Sequence, residues 1–322
     1  LFIRSSCAAC HRDDGRGPGL VGRMVVVDGD GRRSADQSRL RFGDTERPYA
    51  TAGATEPLLP PRDPAVRINH RLPPAVFGRG YLEAVADDEI ERLAREAAAR
   101  SNGIRGRIHW VGEGAGKKAI GRFGLKARTA TLDGFTADAF QGDMGLTSPM
   151  RPRELPNPEH LSDDARAGVD LEQETIDLVA DYVRLLEIPA RRHRADKGTA
   201  LFAQASCATC HTPTLRTRRD YPIAALAGIE APVYTDLLLH DMGDALADGV
   251  VEGQAGARDW RTAPLIGMRF ASGLMHDGRA RTVADAIAAH AGPGSEANGS
   301  VAAFEALAPD DRRILIQFVE GL

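Results

Sequence analysis

The chain lacks several features that would mark other classes of protein. Aromatic residues make up only 5% of its 322 residues, and no run of apolar residues is long enough to cross a bilayer as a helix. The formal net charge is −4, and lysine and arginine form no tract that would suggest a nucleic-acid partner. We therefore expect a protein that has no transmembrane segment in this chain and does not bind nucleic acid.

Cysteine is also scarce, and its placement is the most informative feature of the sequence. The four cysteines fall in two copies of one pattern, which reads LFIRSSCAACH at residues 1–11 and LFAQASCATCH at residues 201–211. Because the two copies use all four thiols, no cysteine is left for a disulfide.

Each copy ends in Cys-x-x-Cys-His, the attachment signature of a c-type haem. Two thiols at this spacing can form thioether bonds to the two vinyl groups of one porphyrin, and the next residue is then an axial ligand of the iron. The pattern therefore predicts two covalently bound haem c groups. The predicted haem-binding residues are Cys7, Cys10 and His11 in the first copy and Cys207, Cys210 and His211 in the second.

Two other chemistries use closely spaced cysteine pairs. A thioredoxin-like redox pair would lie in a βαβ context and would not need a histidine after its second cysteine. A structural zinc site can use two such pairs, but they are normally separated by a short loop rather than by about 200 residues. Neither explains the histidine in both copies, so haem is the favoured interpretation.

The length of the chain and the repeated pattern predict two domains. We place them at residues 1–190 and 195–322, with the basic stretch 191–194 as the linker. Each domain is predicted to be cytochrome c-like, with one haem held where its first and last helices cross.

Apolar residues recur at helical spacing in residues 82–97, 176–186 and 314–322. The 34 glycines and 19 prolines predict long loops between the helices. Residues 12–80 show little periodicity, and we expect loops with a few short strands there. The predicted fold is mostly α.

Several segments resemble one known family. They read GRFGLKA at 121–127, GDMG at 142–145, YTDLLLHDMG at 234–243, WRTAPL at 260–265 and MHDGR at 275–279. They resemble the bacterial di-haem oxidoreductases described as peroxidases, some of which carry the label thiol oxidoreductase. That family is similar to the di-haem cytochrome c peroxidases and to the di-haem enzyme of methylamine utilisation, which matures a tryptophylquinone cofactor. The resemblance covers nearly the whole chain, although no free cysteine supports the thiol label.

The resemblance implies a division of labour between the two haems. In the relatives the N-terminal haem meets hydrogen peroxide, and the C-terminal haem relays electrons from a small c-type cytochrome or cupredoxin. A six-coordinate iron suits electron transfer, whereas a five-coordinate iron leaves a face open for peroxide. Since covalent haem attachment takes place outside the cytoplasm, we expect an exported, periplasmic protein whose signal peptide is absent from this chain.

The resemblance also places the sixth ligand of the C-terminal haem. The relatives carry it fourteen residues beyond the histidine of a His-Asp-Gly or His-Ser-Gly motif, and that position after His276 is His290. A bis-histidine haem of low reduction potential is therefore implied, with Met268 and Met275 as competing ligands. His240 and His276 are expected to support the same haem, for example by bonding a propionate.

On the N-terminal haem, the peroxidases carry an acid twenty residues beyond the tryptophan of a Trp-Asp-Gly-Arg motif. Phe123 stands at the tryptophan position here, and Asp143 at the position of the acid. Such a carboxylate can move a proton between the two oxygens of peroxide. Lys126 stands where the motif has arginine, and it could polarise peroxide or bind the iron. The simpler alternatives are that Asp143 shapes a turn or caps a helix and that Lys126 faces solvent.

The favoured interpretation is a di-haem cytochrome c peroxidase-like oxidoreductase. An electron-transfer protein with both irons six-coordinate stays open as an alternative, and it requires a strong ligand such as Lys126, His70 or His109 at the His11 haem. An oxidase acting on a protein or small molecule is the other alternative.

The relatives bind calcium near the position of His109, but imidazole is a poor calcium ligand.

Overall fold

The computed structural model describes residues 1–12, 20–51, 53–112, 116–160, 167–191 and 196–322. Within these residues the α-helices are α1 (Arg79–Ala84), α2 (Asp87–Ala99), α3 (Leu132–Met144), α4 (Gln173–Leu185), α5 (Asp196–Gln204), α6 (Val283–Ala289), α7 (Asn298–Glu305) and α8 (Pro309–Glu320). The strands are β1 (Val21–Val26), β2 (Val66–Arg71), β3 (Trp110–Gly112), β4 (Lys118–Ile120), β5 (Leu215–Arg216), β6 (Glu230–Ala231), β7 (Leu239–Asp241) and β8 (Asp259–Arg261).

The prediction of a mostly α fold is wrong, because only 32% of the structure is helix and 16% is strand. The strands form four antiparallel pairs, β1–β2, β3–β4, β5–β6 and β7–β8. The longest is β1–β2, which runs in register from Val21 opposite Arg71 to Val26 opposite Val66. Valines in β1 favour the extended backbone, and the glycine- and proline-rich connections leave the remainder irregular. The fold is mixed and rich in loops.

The predicted helix over residues 82–97 is interrupted. Val85 is extended between α1 and α2, where it forms a bridge with Thr217, and the Ala86 N–H donates to the Arg216 carbonyl at 3.0 Å. These contacts from a distant segment compete with the helical hydrogen bonds at that point. The other predicted helices are present as α4 and α8. None of the helices in the described ranges is long and apolar enough to span a membrane.

One hydrophobic core draws on both sides of the predicted domain boundary. Leu82, Ile90 and Leu93 of α1 and α2 pack in the same buried cluster as Leu215 and Leu238. A second cluster lies wholly within residues 201–322 and surrounds the second cysteine motif. The division at 190 and 195 stays a prediction, and the linker residues 192–194 lie outside the described part of the chain.

Helices α5 and α8 cross closely beside the second cluster. A Cβ atom added at Gly198 of α5 would lie 2.5 Å from the Cβ of Phe318 on α8, a separation that real side chains do not adopt. Glycine therefore sets the distance between these helices. The Phe318 ring also lies 5.6 Å from the Phe202 ring at the end of α5, so the crossing lies directly before the cysteine motif.

Candidate functional site

The second cysteine motif forms a tight turn after α5. Cys207–Thr209 is a single turn of 3-10 helix, and the His211 N–H donates to the Cys207 carbonyl at 3.0 Å. The preceding Leu201 and Phe202 are both buried, and the Phe202 ring lies 6.5 Å from the His211 ring. The apolar pair of the repeated pattern thus packs beside the motif's histidine.

The structure brings His290 to this motif. His290 ends α6, and the ring centroids of His211 and His290 are 6.4 Å apart with an interplanar angle of 62°. Nδ1 of His211 lies 3.2 Å from the Tyr234 carbonyl, and Nδ1 of His290 lies 2.6 Å from the Ala286 carbonyl. A carbonyl can only accept, so each Nδ1 carries a proton and each Nε2 keeps its lone pair.

Both imidazoles are held in the neutral form. Burial, and next the charge that His290 would carry, lower the pKa of His211 to about 4. Burial also lowers the pKa of His290. Because a neutral imidazole is the form that binds a metal ion, the pair is poised as ligands at neutral pH.

Tyr234 positions His211 and was missed by the sequence reasoning. Its backbone has a φ of 49°, a left-handed conformation that is uncommon for a bulky residue. Its ring packs 5.9 Å from Phe202 and 6.1 Å from Phe318, and the Arg191 guanidinium lies 4.8 Å from the ring centroid. This packing fixes the carbonyl that accepts from His211. Tyr234 lies in a resemblance segment, but no local pattern marks its conformation.

The first cysteine motif forms the same kind of turn, and the segment before it is hydrogen-bonded to α3. Cys7–Ala9 is also a turn of 3-10 helix, and the His11 N–H donates to the Cys7 carbonyl at 2.8 Å. The N–H groups of Ile3 and Arg4 donate to the Asp143 carbonyl at 2.7 and 3.1 Å. Asp143 is therefore held next to the motif at the end of α3.

The Asp143 side chain is half-buried at the end of α3. Burial raises its pKa to about 6, against the influence of the Arg128 and Arg23 charges. Burial raises the pKa of Cys7 and of Cys10, and the Asp143 charge adds to both shifts. No donor among the described residues makes a hydrogen bond to the Asp143 side chain, so a proton on it is not fixed by a partner.

The Lys126 side chain does not face solvent, and its ammonium is not available to polarise peroxide or to bind iron. The side chain is fully buried. Its Nζ donates to the carbonyls of Gly256, Ala257 and Asp259 at 2.8, 3.2 and 2.9 Å. Three donors meet three carbonyls. Burial lowers its pKa to about 8, so the side chain stays charged at neutral pH.

The Lys126 ammonium belongs to a buried ionic cluster that the sequence reasoning missed. Asp248 lies 3.5 Å from Lys126 Nζ and forms an ion pair with Arg71 of β2 at 2.5 Å. Arg71 also pairs with Glu252. These residues have no periodic or motif signal, because the partners stand more than a hundred positions apart. They join the β1–β2 hairpin to the second half of the chain.

His276 lies against this cluster through Trp260. The two rings stack with centroids 3.9 Å apart and an angle of 17°, and Lys126 Nζ lies 4.1 Å from the Trp260 centroid. The Trp260 indole donates to the Leu246 carbonyl at 2.9 Å. Burial lowers the pKa of His276 to about 4. The supporting role expected for His276 at the C-terminal haem stays a prediction.

The remaining histidines with predicted roles are satisfied by protein contacts or exposed. His109 is buried, with Nδ1 donating to the Lys126 carbonyl at 2.6 Å and Nε2 accepting from the Gln254 N–H at 3.2 Å. It offers no nitrogen to a calcium ion or an iron. His70 and His160 are exposed, and His193 lies outside the described residues.

A comparison with families of known proteins identifies the chain. A family model described as "Di-haem oxidoreductase, putative peroxidase" matches residues 61–322. The chain belongs to this di-haem oxidoreductase family. The first cysteine motif precedes the matched range. No protein of curated function matches the sequence.

One solved structure is similar to this di-haem oxidoreductase over most of its length. It is hydrazine synthase from Kuenenia stuttgartiensis, pressurised with 20 bar of xenon, at 16% identity and a TM-score of 0.44. The match covers 98% of this chain and 81% of that chain. A likeness at this level carries no argument about function.

The donor set of this di-haem oxidoreductase fits a haem at the second motif. Two imidazoles on opposite sides of one metal ion, each with a metal–nitrogen distance of about 2 Å, have ring centroids roughly 6 Å apart. The rings of His211 and His290 show this separation, and the thiols of Cys207 and Cys210 lie in the same motif. At the first motif the described residues supply the cysteine pair, His11 and Asp143.

Proposed function

We propose that this di-haem oxidoreductase reduces hydrogen peroxide at a haem attached to Cys7 and Cys10, using electrons that enter through a second haem attached to Cys207 and Cys210. The observation that carries the proposal is the difference between the two motifs. A second histidine, His290, faces the histidine of the C-terminal motif, whereas a half-buried carboxyl with a raised pKa, that of Asp143, lies next to the N-terminal one.

The C-terminal arrangement favours electron transfer. An iron with an imidazole on each side has no open position, so it exchanges electrons without binding a substrate. The carbonyls of Tyr234 and Ala286 accept from Nδ1 of the two imidazoles and so leave each Nε2 as the nitrogen that would bind the iron.

The N-terminal arrangement favours acid–base work on peroxide. Reduction of one hydrogen peroxide consumes two electrons and two protons and gives two waters; a bound haem supplies the electrons. With a pKa raised to about 6, the Asp143 carboxyl is mostly ionised at neutral pH yet basic enough to accept a proton. It can take the proton from one peroxide oxygen and return it to the other, which then leaves as water.

The contacts of two proposed distal ligands weigh against a pure electron carrier. The alternative requires a strong sixth ligand at the His11 haem. The Lys126 ammonium is surrounded by carbonyls, and both nitrogens of His109 are engaged. Neither side chain is therefore available as a sixth ligand of the iron.

The proposal also covers the cellular location of the protein and its electron donor. Because c-type haem is attached outside the cytoplasm, we propose a periplasmic location. A small c-type cytochrome or a cupredoxin is the electron donor that suits a haem dedicated to electron transfer.

The first experiment is an EPR spectrum of the ferric holoprotein before and after addition of hydrogen peroxide. We expect a high-spin signal from one haem that is lost on peroxide addition, and a low-spin bis-histidine signal from the other. Two low-spin signals that peroxide leaves unchanged, both as isolated and after half-reduction, would overturn the peroxidase proposal and leave an electron carrier.

A further inference from the structure

An ionised histidine lies beside the second cysteine motif. His240 of β7 is buried, and each of its ring nitrogens meets a carboxylate. Nε2 lies 2.9 Å from Asp236 Oδ2, and Nδ1 lies 2.8 Å from Glu296 Oε2. We call these three residues the His240 triad.

Backbone groups hold both acids of the triad in place. Asp236 Oδ1 accepts the Leu238 N–H at 3.0 Å. Glu296 accepts the N–H of Arg105 at 2.8 Å and that of Asp241 at 3.2 Å. Gly106 packs closely against the His240 ring, because a Cβ atom added at Gly106 would lie 2.8 Å from His240 Nε2. The triad is therefore a built arrangement with a fixed geometry.

The triad carries one net negative charge. A carboxylate at each nitrogen requires a proton on each nitrogen, so the imidazole is positive and the two acids are negative. Although burial opposes the charge, Asp236 holds the pKa of His240 well above its usual value. Burial also opposes ionisation of Glu296, but its hydrogen bonds from His240 and the backbone lower its pKa overall.

Neighbouring charged groups do not cancel this charge. Asp241 on the same strand pairs with Arg258 at 2.8 Å. The Arg105 side chain turns away to the Ala98 carbonyl, and Arg107 pairs with Asp259. His211 donates through Nδ1 to the Tyr234 carbonyl, and as an iron ligand it would be a neutral imidazole that adds no charge.

The His240 triad lies next to the second cysteine motif, where its charge can act on a haem. Cys210 Sγ lies 3.7 Å from His240 Nδ1, so the triad touches the atom through which the second haem is attached. We propose that the His240 triad keeps a constant negative charge at the edge of this haem and thereby lowers its reduction potential. The inference rests on the proposed covalent attachment at Cys210. A negative charge stabilises the ferric state, which carries one more positive charge than the ferrous state.

The test uses conservative variants of the two acids in the holoprotein. Glu296→Gln and Asp236→Asn each remove one negative charge and keep an oxygen acceptor for His240. Each should raise the midpoint potential of the low-potential haem, measured by spectroelectrochemistry. Asp177→Asn on the exposed side of α4 removes the same charge away from the motif, and it should leave the potential unchanged.

A third variant tests the positive member of the triad. In His240→Gln the two buried acids face each other without a cation, and one of them should then bind a proton near neutral pH. The midpoint potential should become dependent on pH between about pH 5 and 8, falling as the second acid ionises. The wild-type potential should stay flat over the same range because the triad keeps its charge.

Haem content and EPR separate the two levels of the inference. Mass spectrometry of the intact chain shows whether haem is covalently bound, and unchanged low-spin g-values show that His211 and His290 still hold the iron. Covalent haem with potentials of both acid variants equal to the wild type overturns the role of the triad alone. A chain without covalent haem overturns the proposed function and this inference with it.

Discussion

Among single residues, Asp143 most clearly separates the two haem motifs. The peroxidase proposal requires this carboxyl to be ionised, and burial raises its pKa to about 6. We therefore expect kcat/KM for peroxide to rise with pH through about pH 6 and then to level off. Asp143→Asn should lower the rate by about 100- to 10,000-fold and abolish this acid limb.

The measurement is steady-state peroxide turnover from about pH 5 to 8 with a reduced donor protein. Asp177→Asn on α4 serves as the control, since its side chain is exposed. An acid limb that persists unchanged in Asp143→Asn would assign the ionisation to another group.

Lys126 illustrates a residue whose role is structural despite its place in a family motif. Lys126→Met would leave the Gly256, Ala257 and Asp259 carbonyls without their donor. Breaking a buried charged interaction of this kind costs about 3–5 kcal/mol, and chemical denaturation should show a loss of that size. Lys197→Met is the matched control, because its pair with Asp311 is exposed and is worth about 1 kcal/mol or less. Equal losses in the two variants would contradict the structural role.

The sequence marks the candidate haem-attachment residues by a short spacing and His290 by a family motif. A family motif marked Lys126 but not its structural role, and nothing marked Asp248, because their contacts depend on segments more than a hundred residues away. The stacking partner of His276 was also hidden, since Trp260 precedes it by sixteen positions without any periodic relation.

Among the secondary-structure elements, amphipathic spacing predicted α4 and α8 well. It failed between α1 and α2, where apolar side chains continue at helical spacing but the Val85 backbone is extended. The reason is energetic competition: the Ala86 N–H donates to the Arg216 carbonyl and the Arg122 guanidinium donates to the Val85 carbonyl. These hydrogen bonds replace the helical ones. Periodicity reports which side is buried, not whether the backbone stays helical.

The crossing of α5 and α8 yields a prediction about glycine. Gly198→Ala would bring its new Cβ within 2.5 Å of Phe318, so the helices must separate. Overpacking of this kind costs about 1–3 kcal/mol. Gly299→Ala in α7 is a matched control, because nothing lies within 4 Å of its added Cβ and alanine is the better helix former.

Thermal unfolding of the holoprotein variants measures the difference. The melting temperature should fall in Gly198→Ala and stay equal or rise in Gly299→Ala. Stabilisation by Gly198→Ala would show that the helices are not held at this distance by the glycine.

For the whole molecule, the two haem motifs correctly suggested a di-haem protein but gave the wrong fold class. The signature that predicts haem attachment spans five consecutive residues, whereas the fold depends on hairpins whose strands are short and weakly alternating. In β5 and β6 only two residues each form the ladder. Signals of that length cannot be distinguished from loops before the tertiary contacts are known.

The shared core predicts that the proposed N-terminal domain does not fold alone. A fragment of residues 1–190 would lack five buried members of the cluster around α1 and α2, namely Leu215, Ala231, Val233, Leu237 and Leu238. Burial of a leucine or valine side chain stabilises by about 1.5–3 kcal/mol, and a domain is stable by only about 5–15 kcal/mol in total. The loss therefore approaches the whole stability of a domain of this size.

We expect fragment 1–190 to show weak near-UV circular dichroism and no cooperative thermal transition, and to regain both when fragment 195–322 is added. The second fragment contains its own cluster between α5 and α8, so it should keep more structure alone. A cooperative transition in isolated 1–190 would show that the boundary predicted from the repeated motif is a true domain boundary. Its absence would mean that the two haem motifs are repeated within one folding unit, whose core is shared by both halves of the chain.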